Sequence, residues 1–152
     1  VVLVTQNVDG LLQAAAAELG LSISVLEMHG TLWTARCAAE ASHPTVALTP
    51  ATPDPRGVCA TCGALLRPDV VWFGEQPRFM GAIEAALGSC QHFLAVGTSG
   101  VVYPAAGFVR WAAQSGAACT EINPEPTAGA FPHRIAQGAE VALPALVARW
   151  GV

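Results

Sequence analysis

Short apolar runs alternate along the chain with amphipathic stretches, and most of the runs end in a polar cluster. Val1–Val4 is apolar and β-branched and gives way to Thr5-Gln6-Asn7, the pattern of a buried parallel strand opening into a loop. Val8–Leu19 reads as a helix stopped by Gly20, and Ile23–Met28 is a second apolar stretch leading into His29-Gly30. Between Arg36 and Arg67 the periodicity fades. Pro44, Pro50, Pro53, Pro55, Gly57 and Gly63 punctuate this segment, which reads as a small inserted module. Alternation then resumes: Asp69–Phe73 extended, Arg78–Leu87 helical, Phe93–Val96 a buried strand running into Gly97-Thr98-Ser99-Gly100. Ala105–Gln114 is helical, Ala117–Ile122 a strand and Asn123-Pro124-Glu125-Pro126 a loop. Leu143–Trp150 closes the chain as a helix with Pro144 in its first turn. Strand-helix alternation of this kind predicts right-handed crossovers and a doubly wound parallel sheet, whose ligands sit at the carboxyl ends of the strands.

At 152 residues the chain suits one domain with one core. Its 53% hydrophobic and 12% charged residues, with a mean hydropathy of +0.46, agree with a two-sided buried sheet. No run reaches the roughly 18 apolar residues of a membrane span and no leader opens the chain, so a soluble cytoplasmic protein is expected. A net charge of −4 with seven scattered basic residues argues against nucleic acid as a partner. Five cysteines are unevenly placed. Cys59 and Cys62 form a C-x-x-C pair, Cys37 stands upstream, and Cys90 and Cys119 sit in apolar surroundings as small buried hydrophobes. A C-x-x-C pair is half of a tetrahedral thiolate zinc site; Cys37 supplies a third ligand, and the fourth is open between His43 and Glu40, or the site is incomplete.

The clusters Thr5-Gln6-Asn7-Val8-Asp9-Gly10-Leu11, Glu27-Met28-His29-Gly30, Arg67-Pro68-Asp69-Val70-Val71-Trp72-Phe73-Gly74-Glu75, Gly97-Thr98-Ser99 and Asn123-Pro124-Glu125 resemble the sirtuin signatures in order and approximate spacing. One tetrad alone is unspecific; five in order carry the resemblance over the whole chain. The match looks closest to the bacterial class that also contains desuccinylases and demalonylases. The resemblance implies a Rossmann-like fold with residues 36–67 as a zinc-ribbon-like module, its usual first cysteine pair reduced to Cys37. It also implies NAD-dependent removal of acyl groups from lysines of peptides and proteins, yielding nicotinamide, free lysine and O-acyl-ADP-ribose. The alternatives are mono-ADP-ribosyl transfer on the same fold and a non-catalytic NAD-binding or zinc-stabilised scaffold.

His29 matches the family's catalytic histidine, and histidine is the side chain suited to taking a proton from a ribose hydroxyl near neutrality. Its bland counterpart is a strand-end histidine bonded to a backbone carbonyl. By resemblance Gln6, Asn7 and Val8 lie at the nicotinamide ribose, and Asp9 bonds the carboxamide; Asn7 and Asp9 join His29 in the catalytic set. Asp9 also suits an Asx turn capping the following helix. Gly97, Thr98 and Ser99 contact the adenosine side, Asn123, Pro124 and Glu125 the adenine ribose, and Ala139 the adenine. Val71, Trp72, Phe73, Gly74 and Glu75 are expected as an exposed extended edge that pairs with substrate, the Val71 carbonyl accepting from the acylated lysine and Phe73 lining the acyl tunnel. Trp33, Trp72 and Trp111 read as core or rim. Because Val1 lies inside a predicted strand, the chain is expected to begin in mid-domain. The family's glycine-rich phosphate turn, and the upstream Tyr and Arg that set acyl preference, would then precede it, leaving these 152 residues alone inactive.

Overall fold

The computed structural model describes residues 1–49 and 57–150. Pro50, Pro53 and Pro55 lie outside the described residues. The chain forms two compact units, Val1–Ile83 and Glu84–Val152.

In the first unit, β1 (Val2–Thr5) and β2 (Ser24–Glu27) pair in parallel, Val2 opposite Ser24 through Thr5 opposite Glu27, connected by α1 (Leu11–Glu18). This is the expected strand-helix-strand crossover. The expectation that β1 is buried does not hold: Val2 and Val4 are exposed, since among the described residues β2 alone is bonded to it. α1 starts later than Val8 because Gly10, at φ 75°, sits in the left-handed region and breaks the helical path. β3 (Gly30–Cys37) lies between β4 (Val46–Ala47) and β5 (Leu66–Val70) in an antiparallel sheet. The segment 36–67 therefore shares this sheet with residues on both sides of it. Met28, Ala35, Cys37, Cys59 and Ile83 are buried, as are the polar Thr5, Arg67 and Asp69.

β5 ends at Val70, so residues 71–75 are not the extended edge the sequence suggests. Val71 is half-buried and residues 72–75 are exposed, but the Glu75 N–H closes on the Trp72 carbonyl at 2.9 Å, with Gly74 at φ 90°. That glycine permits a turn which the preceding β-branched residues do not announce. α2 (Met80–Ser89) begins two residues later than expected, after Phe79 at φ 59°.

In the second unit β6 (His92–Val96), β7 (Ala118–Ile122) and β8 (His133–Ile135) form a parallel sheet with β7 in the centre. A 3-10 turn, Ala105–Gly107, leads into α3 (Phe108–Gln114), which connects β6 to β7. Phe108, Val109, Ala112, Cys119 and Ile122 form the buried interior. The closing helix α4 (Ala139–Trp150) starts four residues before Leu143, so Pro144 lies inside it. The Gly138 carbonyl accepts from both Val141 and Ala142, which starts the helix ahead of the proline. No helix among the described residues is long and apolar enough to cross a membrane.

Candidate functional site

The loop after β1 is held by its backbone. Thr5 Oγ1 accepts the Asn7 N–H at 3.0 Å, and the Thr5 carbonyl accepts from Met28 at 3.0 Å. The carbonyls of the next residues are taken in turn: Gln6 O by His29 Nδ1 at 3.2 Å, Val8 O by Leu32 N at 2.9 Å, and Asp9 O by Trp33 Nε1 at 2.6 Å. Four of its carbonyls, those of Thr5, Gln6, Val8 and Asp9, are thus occupied. Asn7 is exposed, and Asp9 is half-buried with Oδ1 accepting the Leu11 N–H at 3.0 Å. The Asx turn foreseen for Asp9 is thus present, and it uses one carboxylate oxygen.

His29 is half-buried. A carbonyl only accepts, so the contact to Gln6 O places the proton on Nδ1 and leaves Nε2 of the neutral ring with its lone pair. The carbonyl-bonded histidine and the catalytic one are therefore compatible, since the same bond fixes the tautomer a base needs. The His29 carbonyl also accepts the Val71 N–H at 2.9 Å. Gly30, at φ 77°, has no room for a side chain, because a Cβ there would run into the Asp69 carbonyl.

Arg36, Val70, Val71, Glu75, Gln76 and Arg78 line an open pocket of about 350 Å³. Three guanidiniums and two carboxylates interlock around it. Asp69 takes Arg78 and Thr34 Oγ1, with Arg36 Nε at 3.5 Å; Glu75 takes Arg67 and Arg36. Arg67 also lies 4.0 Å over the Trp72 ring. The Trp72 N–H on Glu75 Oε2, and then Arg67, hold the Glu75 carboxyl below the usual glutamate range. A lowered carboxyl stabilises the turn above the unfolded glutamate range and ceases to as pH falls through its folded value. Acidification is therefore expected to loosen the turn and change Trp72 fluorescence, a transition that Glu75→Gln abolishes; an unchanged acid titration in that variant would remove Glu75 from the turn's stability.

The cysteine cluster is complete. Cys37 ends β3, and Cys59 and Cys62 lie in a hairpin where Cys59 N–H donates to Ala64 O at 2.7 Å and Gly63 N–H to Cys59 O at 2.8 Å. The fourth donor is His43. Its ring, with the three thiols, forms a group whose ligand atoms all lie within 4.8 Å of one another. Cys37 and Cys62 sulfurs are 3.6 Å apart, and Cys59 Sγ is 3.4 Å from His43 Nδ1. Tetrahedral zinc with sulfur at about 2.3 Å and nitrogen at about 2.0 Å requires edges of about 3.5–3.8 Å, so the donors fit. Glu40 is not in this group; its Oε1 accepts from Ser42 N and Oγ within the turn that carries His43. Amide N–H groups of Thr61 and Cys62 lower the Cys59 thiol to about 6. Burial pushes Cys37 up, but hydrogen bonds from His43 and the backbone outweigh it, and the Cys37 contact in turn raises His43. The sequence signal for His43 is that it is the one histidine between residues 36 and 67.

The second unit carries the other expected residues. Gly97, at φ 60°, follows β6, and a Cβ there would enter open space. Thr98 is half-buried and Ser99 exposed; Asn123 Nδ2 donates to the Thr98 carbonyl at 2.8 Å, joining the two loops. Pro124 and Glu125 are exposed, and the half-buried Ala139 is the first residue of α4. Trp33, Trp72 and Trp111 are all partly exposed rim residues.

Parallel strand-helix units whose strand ends carry polar loops, together with a Cys3His cluster whose geometry fits zinc, define an α/β protein of Rossmann-like type. Residues 1–104 match the Sir2 family, and the chain belongs to it. It is 48% identical over 128 residues to "NAD-dependent protein deacylase 2" of Pyrobaculum aerophilum, covering 82% of this chain and 48% of that protein. It is 46% identical over 154 residues to the "NAD-dependent protein deacylase" of Caulobacter vibrioides, covering 97% and 60%. Among solved structures it matches a Sir2 homologue–NAD complex with a TM-score of 0.84 at 32% identity, covering 98% of this chain and 57% of the other. The chain thus spans about half to three-fifths of the length of these relatives.

Proposed function

We propose that the protein removes acyl groups from protein lysines with consumption of NAD. The observation that carries this is His29, whose ring is bonded to the loop bearing Asn7 and Asp9 while its carbonyl holds Val71. One residue thereby ties a proton acceptor to the ligand loop and to the segment read as substrate-binding. NAD, as co-substrate, supplies the ribose hydroxyls and a nicotinamide leaving group. The groups present suit it: Asn7 offers an exposed amide, Asp9 keeps a second carboxylate oxygen as an acceptor beside the one that takes the Leu11 N–H, and Gly97 leaves open space for close backbone approach.

Asp9 accepts from the carboxamide, Gln6, Asn7 and Val8 lie along the nicotinamide ribose, and His29 Nε2 takes a hydroxyl proton. Gly97, Thr98 and Ser99, with Asn123, Pro124, Glu125 and Ala139, serve the adenosine end. The Val71 carbonyl accepts from the acylated lysine, flanked by Trp72, Phe73, Gly74 and Glu75. Residues 36–67 serve as a zinc module. The family name of the relatives, NAD-dependent protein deacylase, supports this reading. Acetyl, succinyl and malonyl peptides given to the full-length protein, with nicotinamide and O-acyl-ADP-ribose followed by mass spectrometry, test it. ADP-ribosylated protein without deacylated peptide would replace it by ADP-ribosyl transfer.

Asp9→Asn separates the ligand role from the cap. Asparagine keeps an oxygen for the Leu11 N–H but presents a donor where the second carboxylate oxygen stood. We expect KM for NAD to rise about tenfold with thermal stability little changed, the scale of one charged hydrogen bond. A lower Tm with unchanged KM would reduce Asp9 to a turn residue.

A further inference from the structure

Glu121 is a carboxylate in the centre of a parallel sheet. It lies in β7 and is 1% exposed, where strands covered on both faces are ordinarily apolar. Burying a carboxylate is costly unless it is paired and hydrogen-bonded. Glu121 Oε1 accepts the Thr127 N–H at 2.8 Å. Oε2 lies 3.5 Å from Arg134 Nε and has no hydrogen bond among the described residues. Arg134 is the register partner of Glu121 on β8, and its guanidinium donates to the Gly129 carbonyl at 2.6 Å.

Both members of this cross-strand pair therefore grip the connection between β7 and β8, which is the loop carrying Asn123 and Glu125. That loop is poor in backbone donors, since Pro124 and Pro126 have no N–H. Thr127 has the first amide after Pro126, and Glu121 takes it. Thr127 Oγ1 then accepts from Gly129 at 3.3 Å, and Thr127 stands beside Gly100, where an added Cβ would lie 3.2 Å from that hydroxyl. At its other end the loop is tied by Asn123, whose N–H donates to Ile135 O at 3.1 Å and whose Nδ2 donates to Thr98 O.

We infer that Glu121, with Arg134, is a positioning residue that sets the Asn123–Gly129 loop so that Glu125 and Asn123 stand ready for a ribose diol. The inference rests on the proposed reading of those two residues as adenosine-ribose contacts. Neither Glu121 nor Arg134 touches the ligand; they act through Thr127 and Gly129. A carboxylate that only stabilised the sheet would, when altered, lower thermal stability and leave substrate kinetics alone.

The test uses the full-length protein and three variants. Glu121→Gln keeps an acceptor for Thr127 but turns N–H groups toward Arg134, breaking the pair. Arg134→Gln breaks it from the side chain that is 41% exposed, a change the fold should tolerate if Glu121→Gln does not express. Glu125→Ala removes the proposed ligand contact directly. We expect each to raise KM for NAD about tenfold, as for loss of one charge-assisted hydrogen bond, with kcat and KM for the acyl peptide changed by less than about twofold. The double Glu121→Gln/Arg134→Gln variant should be no worse than either single one, because both act on one loop. If Glu125→Ala leaves KM for NAD unchanged, the ribose reading of the loop fails and this inference with it. If Glu125→Ala raises it while Glu121→Gln and Arg134→Gln lower only Tm, the loop reading stands and the positioning role is overturned.

Discussion

His29→Ala in the full-length protein is expected to lower deacylation by about 10²-fold or more, the usual scale for a general base. Gln6 O holds the ring through Nδ1, so the side chain spends one nitrogen on orientation and keeps Nε2 for proton transfer. Alanine removes both. The loss of orientation falls on the ring itself, since the loop remains fixed at Val8 O by Leu32 and at Asp9 O by Trp33. NAD affinity should therefore change little. His29→Gln makes a useful companion, because an amide can still donate to Gln6 O while offering no basic nitrogen. Steady-state rates with saturating NAD, alongside calorimetric NAD binding, give the two readings. Near wild-type turnover in the alanine variant would return His29 to the role of a strand-end histidine satisfied by a carbonyl.

The strands that the sequence reveals are those in which apolar runs stop abruptly at polar clusters. β1, β2, β6 and β7 all do so, and their parallel pairing follows from the helices between them. β3 escapes this reading because its Gly-Thr-Leu-Trp-Thr-Ala-Arg-Cys sequence leaves Leu32 and Trp33 exposed, and its strand character comes from pairing with β4 and β5. β8 is three residues, His-Arg-Ile, with no apolar run; what makes it a strand is its register against β7, including Arg134 opposite Glu121. The turn at 72–75 depends on a glycine at φ 90° and a carboxylate held by Arg67, an arrangement of residues from separate stretches. The site divides in the same way. Residue types at Asn7, Asp9 and His29 are visible as motifs, whereas the bond joining His29 to Gln6 spans 23 positions and belongs to the fold. The sequence leaves the fourth ligand open between His43 and Glu40 or an incomplete site, and it is the fold that brings His43 to within 4.8 Å of the three thiols.

Removing the metal, or one thiolate that binds it, is expected to unfold the module rather than slow the chemistry. The donors come from the end of β3, a turn at residues 40–43 and a hairpin at 59–64, three pieces of chain with few other reasons to meet. Their side chains are also a poor core without an ion: Cys37 and Cys59 are buried thiols side by side with an imidazole, groups that zinc would hold as thiolates and a neutral ring. A structural zinc contributes on the order of 10 kcal/mol in isolated zinc-finger peptides. The antiparallel pairing of β3 with β5 supplies part of the order here, so the expected fall on Cys59→Ser is a Tm lower by about 10 °C or more, corresponding to a few kcal/mol. Chelation of the wild-type protein should lower Tm comparably and have little further effect on the variant, while Glu40→Gln should retain one equivalent of zinc. Metal loss should also grow on acidification, since protons compete for every one of the four ligands. kcat measured well below the transition should change by less than about twofold, because none of the four ligands belongs to the set around His29. Elemental analysis finding no metal, together with an unchanged Tm in Cys59→Ser, would show that the four side chains converge without holding an ion.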